Sequence, residues 1–336
     1  MLKVAALVPV YNSAEYLPQC LDSLLAQTYP DVQVFCHDDG SSDGALKVLQ
    51  TYADNNPGRL HVKMWENHGA VQTVNRLLDD LPDEFDAYLM VDCDDYVHPQ
   101  MVEVLVHELE EERADVVECG FVGVPPDAVC PQGFQPVASY SYSRTVVADT
   151  SVYLLRETAP GAWIVRWNKL YRRSSVAGIR MRDGLEYEGD FFFEYEVNAA
   201  IRRKVLVDAR LYAYRWNPCS ATSRVNFDKY VHSALERIRL SCDEFLNAGR
   251  IPREKEVAFR KELSQDAYRM CIRKNLKKNS DTRLRRALFI AAGDGLRRLE
   301  MANSFKAEGL GLVQWLAWQA CTHGWYRVCR TLAFLT

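Results

Sequence analysis

The sequence predicts an α/β fold: a mostly parallel sheet flanked by helices, followed by a helical region. Short apolar runs alternate with segments of helical periodicity over the first 120 residues. The connections are short, which suits parallel strands joined by helices on both faces. From about residue 227 the pattern is helical and basic to the end.

The first run, KVAALVPV (3–10), is apolar throughout, as a strand buried on both faces must be. Glu15 to Gln27 then sets Tyr16, Leu17, Cys20, Leu21, Leu24 and Leu25 on one helical face. VQVFCHDDG (32–40) predicts a strand running into an acidic turn, and Ser42 or Asp43 can cap a helix through about Tyr52. LHVKMW (60–65) predicts a third strand, with a helix over 70–80. DAYLMVDCDD (86–95) predicts a fourth strand ending in carboxylates. Pro99 opens a helix through about Arg113, and ADVVECGFV (114–122) is a fifth strand. Residues 123–150 are rich in Pro, Ser and Gly and read as a loop; KVLVDARLYAYR reads as a later strand.

The 336 residues are 48% hydrophobic and 26% charged, ordinary for a folded protein. The net charge of −4 is unevenly spread. Residues 250–336 carry 18 Lys and Arg against 8 Asp and Glu, whereas residues 1–249 carry 23 against 37. The acidic part suits a cation site, and the basic part a phosphate-bearing or membrane-surface partner. Ten cysteines form no CxxC pair, and Cys36 and Cys119 sit in apolar runs as buried thiols would. MLKVAALVPVY is too short an apolar run for a signal peptide, and no stretch of 18 apolar residues occurs. A cytoplasmic protein in a reducing compartment is expected.

In an open parallel sheet, ligands bind at the carboxyl ends of the strands. Three such ends are polar: Pro9-Val10-Tyr11-Asn12, Asp38-Asp39-Gly40-Ser41 and Asp92-Cys93-Asp94-Asp95. On extended backbone Asp92 and Asp94 would face the same way and could hold a hard divalent cation beside phosphate oxygens. Helix-capping aspartates at a polar strand end would produce the same text. Asp38 and Asp39 could bond a base or ribose, while Gly40 and Asp43 suit a plain strand–helix turn. No GxGxxG or GxxxxGK[ST] occurs, which disfavours dinucleotide and P-loop chemistry. A nucleotidyltransferase would carry a Gly-rich basic signature near its start, and VPVYNSAEY has none.

These segments resemble the family 2 glycosyltransferases, whose nucleotide-sugar-binding fold is called GT-A. The matching text is VPVYNSAEYLPQCLDSLLAQTYPDVQVFCHDDGSSDG, ENHGAVQTVN and MVDCDDYVHPQMV, with WNKLYRR, EGDFFF and LYAYRWNPCSATS in a second half. The resemblance implies a GT-A catalytic domain over 1–226, with a nucleotide-binding half (1–122) and an acceptor half (150–226). A helical basic region, 227–336, follows. It further implies that Pro9, Val10, Tyr11, Asn12, Asp38, Asp39, Asn67, Gly69, Asp92 and Cys93 border the nucleotide. Asp94, with Asp92, would ligate Mn²⁺ or Mg²⁺, and Asp95 would support them.

The family's catalytic base is an acidic residue directly before aromatics. Here the text is Glu188-Gly189-Asp190-Phe191-Phe192-Phe193, so Asp190 holds that place and Glu188 lies one residue early. A carboxylate there would take the proton of an acceptor hydroxyl as it attacks opposite the leaving diphosphate, inverting the sugar. Lys169, Arg215 and Trp163 are candidate diphosphate or acceptor contacts. The implied partners are a nucleotide-sugar donor, UDP-sugar foremost, and a glycan or lipid-linked glycan of the bacterial surface. Nucleic acid is not implied, and a homo-oligomer stays open. Trp315, Trp318, Trp325 and Tyr326 could rest on the inner face of the cytoplasmic membrane or pack in a core. The departure at Gly189 also leaves room for a catalytically degenerate nucleotide-sugar or glycan-binding protein.

Overall fold

The computed structural model describes residues 1–128, 142–148, 164–185, 187–218, 220, 226–278, 281–301, 310 and 312–334. The chain divides into two units. The first comprises residues 1–153, 159–182 and 193–220, and the second 154–158, 183–192 and 221–336.

The first unit is built on a nine-stranded sheet. Strands β1 (Val4–Val10), β2 (Val32–Asp38), β3 (Leu60–Met64) and β4 (Ala87–Met90) alternate with helices α1 (Leu17–Leu25), α2 (Ala45–Asn55) and α3 (Ala70–Asp79). They are parallel and stand in the order β3-β2-β1-β4. Every residue of β1 from Val4 to Val8 is buried, because both faces are covered. Val4, Ala6, Val8 and Val10 pack with α1, α2 and α4 (Met101–Glu111), whereas Ala5 and Leu7 pack with Val71, Val74 and Leu77 of α3. Alternate residues of one strand thus feed two cores.

Beyond β4 the sheet turns mixed. The fifth strand expected at 114–122 is β6 (Val116–Val124), but it does not join β4. Between them lies β8 (Lys169–Arg172), antiparallel to both. A further short strand, β5 (Tyr96–Val97), and β7 (Arg144–Val147) pair antiparallel with β9 (Lys204–Arg215), itself parallel to β6. The unbroken parallel run therefore covers β3 to β4, and β6 with β9 forms a separate parallel pair. β9 is long enough to reach from Lys204, level with Val116, to Arg215 beside the end of β4.

The helix α5 (Gly189–Ala200) begins in the second unit and continues into the first. The second unit's further described α-helices are α6 (Phe227–Ser241), α7 (Glu256–Ala267), α8 (Asn275–Lys278), α9 (Thr282–Met301), α10 (Leu312–Thr322) and α11 (Tyr326–Phe334). Asn226 caps α6, its Oδ1 accepting from Asp228 N at 3.1 Å and Lys229 N at 3.3 Å. A β-carbon on Gly293 would lie 2.4 Å from Cys321 O, so the glycine lets α10 cross α9 closely. Trp318 is fully buried, whereas Trp315 and Trp325 are exposed. Among the described residues no helix is long and apolar enough to cross a membrane.

Candidate active site

The three polar strand ends stand side by side because β2, β1 and β4 are neighbours in parallel register. Val10 is level with Asp38, and Leu7 with Met90. Asp39 N donates to Val10 O at 2.8 Å and Val91 N to Leu7 O at 3.0 Å, which draws the loops after the strands together.

Between the β1 and β2 ends the fastening is polar. Asn12, in the left-handed region (φ 47°), donates from its amide to Ser41 Oγ at 2.9 Å. Its Oδ1 accepts from Ser42 N at 2.8 Å. The N-cap of α2 is Gly44 (φ 95°) rather than Ser42 or Asp43; Asp43 Oδ2 accepts from Ala14 N and its Oδ1 from Ala45 N, tying the loop after β1 to the start of α2. Asp39 is buried, with Oδ1 accepting from His68 N at 2.9 Å and Oδ2 from Gly69 N at 2.8 Å. It thereby ties the β2 end to the loop holding Asn67, which is exposed. Asp38 is also buried; its Oδ2 accepts from Ser41 N at 3.1 Å, and its Oδ1 has no partner among the described residues. Gly40 has φ 72°, and a β-carbon there would meet Asn67 N at 3.0 Å, so only glycine fits. Tyr11 is 51% exposed above these ends, leaving an aromatic face open to a planar ligand.

The acidic segment after β4 corrects one expectation. The strand stops at Met90, and Asp92–Asp95 is a turn closed by Asp95 N donating to Asp92 O at 3.0 Å. Side chains still alternate in exposure: Asp92 and Asp94 are partly exposed, Cys93 and Asp95 buried. The Cys93 Sγ lies 3.1 Å from Ser13 Oγ, pinning the turn to the loop after β1. Asp95 accepts from Tyr212 Oη and from Arg215 N, each at 2.7 Å. Burial, with Asp92 and Asp94 beside it, pushes the Asp95 carboxyl well above the usual range.

The two partly exposed carboxylates differ. Asp92 Oδ1 accepts from Arg166 Nη2 at 2.7 Å. Asp94 Oδ2 accepts from the neutral Asn217 Nδ2 at 2.9 Å, and among the described residues no hydrogen bond or ion pair engages its Oδ1. Among the described residues no three His, Cys, Asp or Glu side chains cluster in a way that could hold a metal. The fit to Mg²⁺ or Mn²⁺ rests on two hard oxygen donors, leaving positions for phosphate oxygens and water.

Arg215 and Lys169 are both buried. Arg215 donates to Asp94 O at 2.7 Å, to Pro126 O and to Gln19 Oε1, with its guanidinium over the rings of Tyr16 and Tyr96. Lys169 is wholly buried, bonded to Val165 O and Asn168 Oδ1 and ion-paired with Glu118 and Glu194. Trp167 stacks on Tyr212 at 4.4 Å and on Tyr214 at 5.4 Å, a core position. Trp163 lies outside the described residues.

Arg166 and Asn217 were not singled out from the sequence. Their signal is their place, one directly before WNKLYRR and the other directly after YRW. Beside Asn217, Trp216 is 69% exposed.

In the second unit, Glu188 is buried and its Oε2 lies 3.0 Å from Arg237 Nε, while Arg237 Nη2 lies 3.0 Å from Asp266 Oδ2. Asp190, in the first turn of α5, is partly exposed.

Residues 5–129 match the family model for glycosyl transferase family 2. The chain carries a family 2 glycosyltransferase domain. It is 26% identical over 267 residues to glycosyltransferase GlyA of Streptococcus pneumoniae, covering 78% of this chain and 37% of that one. It is 30% identical over 233 residues to EpsH of Bacillus subtilis, covering 66% and 63%. The chain thus spans less than two thirds of either relative. S. aureus TarS 1–349 in complex with UDP-GlcNAc has the same fold, with TM-score 0.71 and 20% identity over 98% of this chain and 90% of that one.

Proposed function

We propose that this family 2 domain transfers a sugar from a nucleoside-diphosphate sugar to a hydroxyl of a bacterial surface glycan, with inversion. The observation that carries the reading is the juxtaposition at the β2, β1 and β4 ends. An exposed tyrosine, two buried aspartates and two partly exposed aspartates stand together there. TarS, of like fold, forms a complex with UDP-GlcNAc, and the mannosyltransferase PcManGT of Pyrobaculum calidifontis (TM-score 0.53) one with GDP-Man and Mn²⁺. The first makes a UDP-sugar the leading candidate donor.

In this reading Tyr11 stacks on the base, with Pro9, Val10, Asn67 and Gly69 around it. Asp39 shapes the pocket through the His68 and Gly69 amides, and Asp38 Oδ1 supplies an acceptor for the base or ribose. Asp94, with Asp92, would hold Mg²⁺ or Mn²⁺, which when bound offsets the charge of the leaving diphosphate. Arg166 orients Asp92, and Asn217 orients Asp94. Asp190 takes the proton of the acceptor hydroxyl as its oxygen bonds the anomeric carbon and the bond to the diphosphate breaks. Glu188, held by Arg237, is the structural carboxylate of the pair. The helical unit meets a membrane surface through Leu312, Trp315 and Leu316, one exposed face of α10 at i, i+3 and i+4 spacing.

The reading is tested by thermal shift with UDP-, GDP-, dTDP- and CMP-sugars, with and without Mn²⁺. A ligand at a hundred times its Kd adds about 2.7 kcal/mol. One donor should stabilise in a metal-dependent way, and less so in Asp94→Asn. No response to any nucleotide from folded protein would reject the donor site.

A further inference from the structure

The second unit contains a cavity that sugar transfer leaves unused. It is open, about 880 Å³, and is lined by Thr282, Arg286, Tyr326, Arg327, Arg330 and Thr331. Three of these are arginines, and among the described residues no carboxylate lines the space. Arg286 comes from α9, while Arg327 and Arg330 are three apart on α11 and so share a helix face.

These arginines are unlike their neighbours. Arg237, Arg239, Arg269 and Arg297 each face a carboxylate within 3.0 Å. Arg285 is held by Tyr326 Oη at 2.9 Å and Thr282 Oγ1 at 3.3 Å, which fixes two of the lining residues. The nearest acid in sequence, Asp281, spends Oδ1 on the amides of Arg283 and Leu284. For Arg286, Arg327 and Arg330 no side-chain hydrogen bond or ion pair exists among the described residues.

Three unneutralised guanidinium groups around one concavity repel one another until an anion enters. Their planar forks match tetrahedral oxyanions in pairs, which an ammonium cannot do. We infer that this cavity binds a phosphoryl anion, as a phosphate ester or phospholipid headgroup. The site stands independently of the donor site, because it lies wholly within the second unit.

The full chain, kept in EDTA so that metal-assisted donor binding does not contribute, is challenged with two probes. One is inorganic pyrophosphate, read by thermal shift. The other is phosphatidylcholine vesicles with or without phosphatidylglycerol, read by co-sedimentation. The lining variant is Arg327→Gln/Arg330→Gln, and the charge-matched control is Arg253→Gln/Arg298→Gln, at exposed positions outside the cavity. The lining variant should bind roughly thirty-fold more weakly, at about fivefold per lost charge. The control should match wild type. Capture of phosphatidylglycerol vesicles, with or without a pyrophosphate response, assigns a lipid headgroup; a pyrophosphate response alone assigns a free ester. Absence of binding to both probes, or equal loss in the two double variants, overturns the inference. Mn²⁺-dependent UDP-sugar binding, retained in the lining variant, keeps this outcome separate from that of the donor site.

Discussion

Two carboxylates two residues apart make opposite predictions. Glu188 is buried against Arg237, so Glu188→Gln leaves that guanidinium short of a partner and should cost about 3–5 kcal/mol in urea unfolding. Asp190 is partly exposed in the first turn of a helix, so Asp190→Asn should leave the unfolding midpoint nearly unchanged. Its turnover should fall by roughly 10²–10⁴, with donor affinity retained. Equal stability losses and equal turnover in the two variants would undo the assignment. The sequence placed Asp38, Asp39, Asp92 and Asp94 at strand ends because β-periodicity and chain order are local properties. It did not reveal that Asp39 holds the His68 and Gly69 amides, or that Arg166 holds Asp92. Those bonds join residues 29 to 74 positions apart, and nothing local encodes them.

At the level of elements, the parallel half was legible because each strand is an apolar run with a helix behind it. β8 was not legible as a partner of β4. Its four residues, KLYR, carry too little pattern to state a direction, and β7 is equally short. What holds β8 in place is buried charge. Lys169 and Lys204 pair with Glu118 and Glu194, and Tyr171 Oη donates to Glu194 at 2.6 Å. Lys169→Met leaves two buried carboxylates to one lysine and should cost about 3–5 kcal/mol, partly recovered in Lys169→Met/Glu194→Gln. The turn after β2 carries a second element-level prediction. Gly40→Ala forces a left-handed residue against Asn67 N, so it should lose about 1–2 kcal/mol and weaken donor binding together.

For the whole molecule, acid sensitivity has an identifiable contributor. Burial, aided by Lys63 and Arg76, lowers the His37 imidazole to about 4, although Asp80 pulls the other way. The unfolded chain takes up that proton near pH 6.5 and the folded chain only near 4. Stability is therefore lost as pH falls through this window, by up to roughly 3 kcal/mol from this group. Urea midpoints at pH 7 and pH 4.5 should converge in His37→Gln relative to wild type. The central claim is chemical and concerns the first unit's donor site. UDP release from a UDP-sugar, followed with and without Mn²⁺, tests it most directly. Release should require the metal, fall at least about a hundredfold in Asp94→Asn, and leave the folded fraction unchanged. Metal-independent release, or release equal in wild type and Asp94→Asn, would contradict the account.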